Sequence, residues 1–257
     1  MSITDKNKLK QAVNLFKQAT EKECYKITLD KHTPDILDNK LGGNPYLPVG
    51  EKYPTTSDGK PLSLLLQVNL KEIKLPNFPD KGIFEVFTNN DFPCEFAIRL
   101  FDENLEYQTD FPALDYEFPF VRRSFKIKLS KDKAHMSLND YKADQTLCPI
   151  IEKIYGIKAE SVIDFVDSFD DGWDWYEEFA NQLNNHAITL GGYPDFTQSD
   201  PRSDEEELDE CLFKIDAGSN IAPEIQIGDS GIIWGFINEK DLQNKNFNNA
   251  VVDWDCC

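Results

Sequence analysis

The sequence predicts an α+β fold, internally duplicated, with mostly antiparallel sheet and flanking helices. Three observations lead there. LGGNPYLP (Leu41 to Pro48) has an echo in LGGYPDFT (Leu190 to Thr197). Gly42, Gly43, Pro45, Gly82 and Phe87 each stand 149 residues (191 − 42) before Gly191, Gly192, Pro194, Gly231 and Phe236. Short apolar runs follow each copy: LLLQVNL and GIFEVF after the first, CLFKIDA and GIIWGF after the second. Several anchors at one spacing mark a repeated supersecondary unit.

The elements follow in chain order. Leu9, Val13, Phe16 and Ala19 recur at helical spacing within Lys8 to Tyr25, which predicts an N-terminal helix. Gly-Gly-x-Pro predicts a sharp reversal, because glycine accepts positive φ and proline cannot continue a central strand. The runs Leu64 to Val68, Gly82 to Phe87, Cys211 to Ile215 and Gly231 to Phe236 are too short for helices and rich in Leu, Ile, Val and Phe, so they predict buried strands. Arg99 to Leu129 alternates aromatic and polar residues around Phe-Pro dipeptides, as strands broken by loops do. From Leu147 to Asn185 the apolar spacing turns helical. DPRSDEEELDE (Asp200 to Glu210) has almost no apolar residue and predicts a solvated loop. The expectation is a single domain over 1–257, made of two pseudo-repeats (about 37–90 and 186–240), an N-terminal helix and a connecting segment, 91–185.

Composition narrows the partners. With 27 basic and 46 acidic side chains the formal charge is −19, which repels phosphate backbones and anionic lipid. The expectation is no nucleic acid, no membrane, and a basic protein as the fitting partner. No apolar run reaches the ~20 residues that span a bilayer, and the opening MSITDKNKLK lacks a signal peptide's apolar stretch. A cytoplasmic protein is expected. The six cysteines form no C-x-x-C, so no zinc or dithiol site and no metal is expected, and Cys256 and Cys257 read as an unmodified tail.

LGGNPYLPVGEKYP, GKPLSLLLQVNL and LPNFPDKGIFEVF resemble the first half of the YwqG-like bacterial family of unknown function. HAITLGGYPDFTQSDPR, LFKID and IGDSGIIWGFINEKDLQNKNF resemble its second half. The resemblance covers about Leu37 to Asp253. It departs at Tyr53-Pro54, where such proteins carry Trp-Pro, and at Lys214, where Gln would match Gln67. It implies an α+β, mostly antiparallel fold and no established reaction, so no catalytic residue or cofactor is carried over. Small, acidic, cytoplasmic members are similar to immunity proteins of bacterial toxin systems.

Of three histidines, His186 stands out, just before the second Gly-Gly-x-Pro and ahead of Asp195 and Asp200. A histidine near carboxylates can act as a base or ligand, or simply tie a turn. DSFDDGWDWYEE (Asp167 to Glu178) fails as a calcium loop because Phe169 cannot ligate. It reads instead as an acidic helix start, capped by Asp170 or Asp171, with Trp173, Trp175 and Tyr176 as a core face and a partner anchor. Two readings result. One is a non-enzymatic protein-binding module using Trp173, Trp175, Asp170 and Asp174. The other is an enzyme or small-ligand binder between the two Gly-Gly loops, using His186, Asp195, Gln67, Arg202 and Asp229. In that second reading His186, Arg202 and Asp229 converge at one end of the sheet.

Overall fold

The computed structural model describes residues 3, 5–92, 94–114, 120–183, 186–203, 207–219 and 221–256. Pro93, Phe118 and Pro119 of the Phe-Pro segments, and Cys257, lie outside them. The chain begins with helix α1 (Lys6–Thr20), whose first turn is capped by Asp5 through its bonds from the Asn7 and Lys8 amides. Leu9, Val13 and Phe16 form its buried stripe, as their spacing requires. The helix does not run on to Tyr25. Cys24, Tyr25, Ile27 and Leu29 belong to strand β1 (Lys22–Leu29), because from Lys22 the apolar period changes toward two.

Nine further strands follow: β2 (Lys40–Leu41), β3 (Ser63–Asn69), β4 (Ile83–Thr88), β5 (Phe96–Phe101), β6 (Phe125–Ala134), β7 (Ile188–Gly191), β8 (Glu210–Asp216), β9 (Ile232–Ile237) and β10 (Val251–Asp255). The four apolar runs expected as buried strands are β3, β4, β8 and β9. Between β6 and β7 lie α2 (Ala143–Tyr155), α3 (Val162–Asp167) and α4 (Gly172–Asn181), and α5 (Glu239–Gln243) precedes β10.

All ten strands form one antiparallel sheet in the order β10-β9-β8-β7-β1-β6-β2-β3-β4-β5. Read outward from the centre, each side runs through a lone strand, a Gly-Gly strand and three meander strands. The central strands are exchanged. Strand β1, which precedes the first Gly-Gly-x-Pro, pairs with β7 of the second, and β6 pairs with β2 of the first. The pairings match in detail: Leu41 faces Phe125 as Leu190 faces Tyr25, and Lys40 faces Lys126 as Thr189 faces Lys26. A further echo appears in YKITL (25–29) and FKIKL (125–129), 100 residues apart (125 − 25). Even the irregularities match. The register of β3 on β4 shifts between Leu64 and Leu66, and that of β8 on β9 between Cys211 and Phe213, so each wing carries a bulge in the same place.

This crossing explains the glycine pairs. Gly42 and Gly191 have φ of +65° and +71°, Gly43 and Gly192 +80° and +81°, a region where a Cβ is costly. A Cβ on Gly43 would lie 2.7 Å from the Cβ of Ser124, and one on Gly192 would lie 2.8 Å from that of Ala134 and 3.0 Å from that of Cys24. Ser124 and Cys24 hold the same place in the two exchanged strands. The neighbouring chain therefore runs close against each glycine, and at Gly192 the end of β6 does so as well.

One sheet face encloses the main core, which draws Tyr25, Ile27, Val68, Phe84, Ile215 and Ile233 from both wings. Helices α1 to α4 build a second core around Phe16, Phe165, Trp175 and Phe179. Among the described residues no helix is long and apolar enough to cross a membrane.

Candidate functional site

The register separates the residues expected to converge. Gly43 meets β6 at its start (Ser124) and Gly192 meets it at its end (Ala134). Ten residues of strand at ~3.3 Å each hold the two Gly-Gly loops roughly 30 Å apart. The two loops therefore lie at opposite ends of β6.

Arg202 and His186 also part company. Arg202 lies over the Phe236 ring at 4.5 Å, beside the start of β8, where Phe236 faces Cys211. His186 precedes Ala187, whose carbonyl accepts from Asp216 at the far end of the same strand. Asp229 is exposed in the turn before β9, closed by Gly231 N–H on the Ile227 carbonyl. It makes no ion pair with His186 or Arg202.

Arg202 is a structural tie. Its Nη2 donates to Asp140 Oδ2 and Asp200 Oδ2, both at 2.7 Å, and its Nε to Asp200 Oδ1 at 2.9 Å. Burial would lower its pKa, but the two carboxylates leave it raised. The Asp200 and Arg202 side chains are thus buried inside a loop expected to be solvated, while Pro201, Ser203 and Glu207 of that loop are exposed. Residues 204–206 of that segment lie outside the described ones. His186 Nε2 is 3.1 Å from Asp132 Oδ2, off the line of a good hydrogen bond. Burial lowers the His186 pKa while Asp132 opposes the shift.

The two tryptophans divide. Trp175 is 0% exposed and donates to Tyr155 Oη at 2.8 Å, so it cannot anchor a partner. Trp173 is 53% exposed and its ring lies 5.5 Å from that of Tyr176. Asp174, Glu177 and Glu178 of the same helix line, with Lys6 and Lys10 of α1, an open groove of about 560 Å³. Asp171 precedes α4 without a side-chain cap and instead accepts the Ile3 amide at 3.2 Å.

A row of polar side chains crosses each wing on the face away from the main core. In the first wing it is Lys40, Gln67 and Glu85, adjacent by register on β2, β3 and β4. Tyr46, just after Gly-Gly-x-Pro, donates its amide to Gln67 Oε1 and Glu85 Oε1, each at 2.8 Å. Gln67 Nε2 bonds the Ile36 and Asp38 carbonyls, and Lys40 Nζ those of Asp35 and Ile36. Gln67 therefore fastens the first loop to the sheet. Burial drives Glu85 up from 4.5 to about 8 and Lys40 down from 10.5 to about 8.

In the second wing the same places hold Thr189, Lys214 and Trp234, with Asp195 in the place of Tyr46. Burial raises the Asp195 pKa against the pull of Lys214, and the Ser137 hydroxyl sits beside its carboxyl. Sequence reading marked Asp195 but missed Thr189, Ser137 and Trp234, which resemble ordinary strand and loop residues until the register aligns them.

The fold and these sites define an antiparallel α+β protein of two matched wings around an exchanged strand pair. The chain belongs to the family described as domain of unknown function DUF1963, which matches residues 39–256. No curated protein matches it.

Proposed function

We propose that this protein is a non-enzymatic, cytoplasmic binding module for a basic protein partner, docked on the acidic and aromatic face of α4. The carrying observation is Trp173, half exposed and braced by Tyr176, on a helix where Asp174, Glu177 and Glu178 are exposed as well. A rigid aromatic ringed by charge is the composition of a binding hot spot, and the chain's −19 charge favours encounter with a cation. The matched wings and paired bulges support internal duplication, and the YwqG-like resemblance belongs with this reading.

The test is titration of the full chain with a Lys/Arg-rich peptide, read by tryptophan fluorescence. Saturable binding is expected, weakened by salt and lost in Trp173→Ala and in Glu177→Lys/Glu178→Lys, with unchanged melting temperatures. Equal binding by those variants would assign the attraction to overall charge and defeat the proposal.

A further inference from the structure

The two wings serve as controls for each other. In the first, the polar row is knit to its loop by the bonds of Gln67, Glu85 and Lys40 described above, and only Glu85 Oε2 is left over. In the second, Thr189 Oγ1, Trp234 Nε1 and Ser137 Oγ are all buried without a hydrogen-bond partner. Thr189 is 1% exposed, Lys214 2% and Trp234 4%. Cross-strand neighbours of this kind hold their Cβ atoms about 5 Å apart, so Lys214 stands between Thr189 and Trp234 and next to both. Ser137 joins them through Asp195, on which Lys214 also acts.

An unmet buried polar group costs about 1–3 kcal/mol, and such groups are rare in native proteins. Two in one row with Ser137 beside it, where the matching wing shows a bonded alternative, are a feature to be explained. The row itself is made of donors, and the one carboxylate beside it, Asp195, has its pKa raised by burial toward the uncharged form. Tryptophan Nε1 and the lysine ammonium can only donate, and the two hydroxyls are free to do so. The first wing places the acceptor Glu85 where the second places the donor Trp234. Donors converging around a buried cation call for an acceptor that carries negative charge.

We propose that Thr189, Lys214, Trp234 and Ser137 form a binding site for a compact oxyanion, the carboxylate or phosphate group of a small ligand. The site lies on strands β7, β8 and β9, whereas Trp173 stands on α4, and the proposal does not rest on partner binding. Trp234 and Thr189 orient the group and Lys214 supplies the opposing charge.

The experiment uses the full chain, with inorganic phosphate and acetate as probes and tetramethylammonium chloride as the cationic control. Binding is read from thermal unfolding and from the indole N–H resonance of Trp234, assigned through Trp234→Phe. One oxyanion should raise the melting temperature saturably and shift the Trp234 resonance, leaving those of Trp173 and Trp175 in place. Whichever of phosphate and acetate acts names the source of the group. Thr189→Val should weaken that binding roughly ten- to hundredfold, as loss of one charge-assisted bond does, while raising the melting temperature of the unliganded chain. Lys214→Met should abolish binding in a chain that still unfolds cooperatively. Failure of both anions to shift Trp234 would overturn the proposal, as would equal stabilisation of wild type and Lys214→Met. A Thr189→Val variant less stable than wild type would show that the hydroxyl is a structural tie, and would overturn it as well.

Discussion

Replacing Gly192 by alanine tests the reason for the Gly-Gly pairs. The residue has φ +81°, where a Cβ costs about 1–2 kcal/mol. That Cβ would also lie 2.8 Å from the Cβ of Ala134 and 3.0 Å from that of Cys24, both on the central strands. Overpacking of this kind costs about 1–3 kcal/mol. The total expected for Gly192→Ala is therefore about 2–5 kcal/mol. Gly43→Ala, with φ +80° and Ser124 Cβ at 2.7 Å, should lose a similar amount. Gly50 supplies the control: its φ is +93° but a Cβ there would meet nothing within 4 Å. Gly50→Ala should cost only the backbone share, about 1–2 kcal/mol. Urea unfolding followed by tryptophan fluorescence measures all three. A Gly192→Ala variant no less stable than Gly50→Ala would refute a close strand crossing at the second Gly-Gly.

Other substitutions probe the buried charges and the docking face. Glu85 has a folded pKa raised from 4.5 to about 8, so the folded state holds a proton that the unfolded state gives up. Its contribution to stability is full below pH 4.5 and is lost as pH rises toward 8. Glu85→Gln should flatten that decline in urea melts at pH 5, 6, 7 and 8; an unchanged slope would count against a protonated Glu85. Arg202→Met leaves the Asp140 and Asp200 carboxylates buried and uncompensated, and should cost about 3–5 kcal/mol in chemical unfolding. A loss below 1 kcal/mol would mean that the tie is solvated. Trp175→Phe removes the bond to Tyr155 and should lower the melting temperature, whereas Trp173→Phe should leave it unchanged; equal effects would contradict the buried and exposed assignments.

The sequence carried the meander strands β3, β4, β8 and β9, because LLLQVNL, GIFEVF, CLFKID and GIIWGF are buried apolar runs opened by turns, but not β10. It carried the helices α2 to α4 through their spacing. It missed β1 because Cys24 and Tyr25 also extend the helical pattern of Phe16 and Ala19, and only tertiary pairing with Gly191 and Leu190 decides between the two. The echo of YKITL in FKIKL was present, but at a spacing of 100 rather than 149, since the exchanged strands are separated from their Gly-Gly turns by connections of different length. The site was least legible. The convergence expected of His186, Arg202 and Asp229 assumed that turns of one repeat meet at one sheet end, whereas Arg202 and His186 fall at opposite ends of β8. Thr189, Lys214 and Trp234 became neighbours only through strand register, which no spacing within one segment encodes.

The exchange of β1 and β6 can be tested directly by disulfide trapping on the full chain. Lys26 faces Thr189 across β1 and β7, close enough for a cross-strand disulfide once both are cysteine. If each strand instead stayed with its own Gly-Gly turn, Lys26 would take the place of Lys126 and face Lys40. Mass spectrometry after mild oxidation separates the two arrangements. The exchanged fold predicts a crosslink in Lys26→Cys/Thr189→Cys and none in Lys26→Cys/Lys40→Cys; the reverse pattern would contradict it.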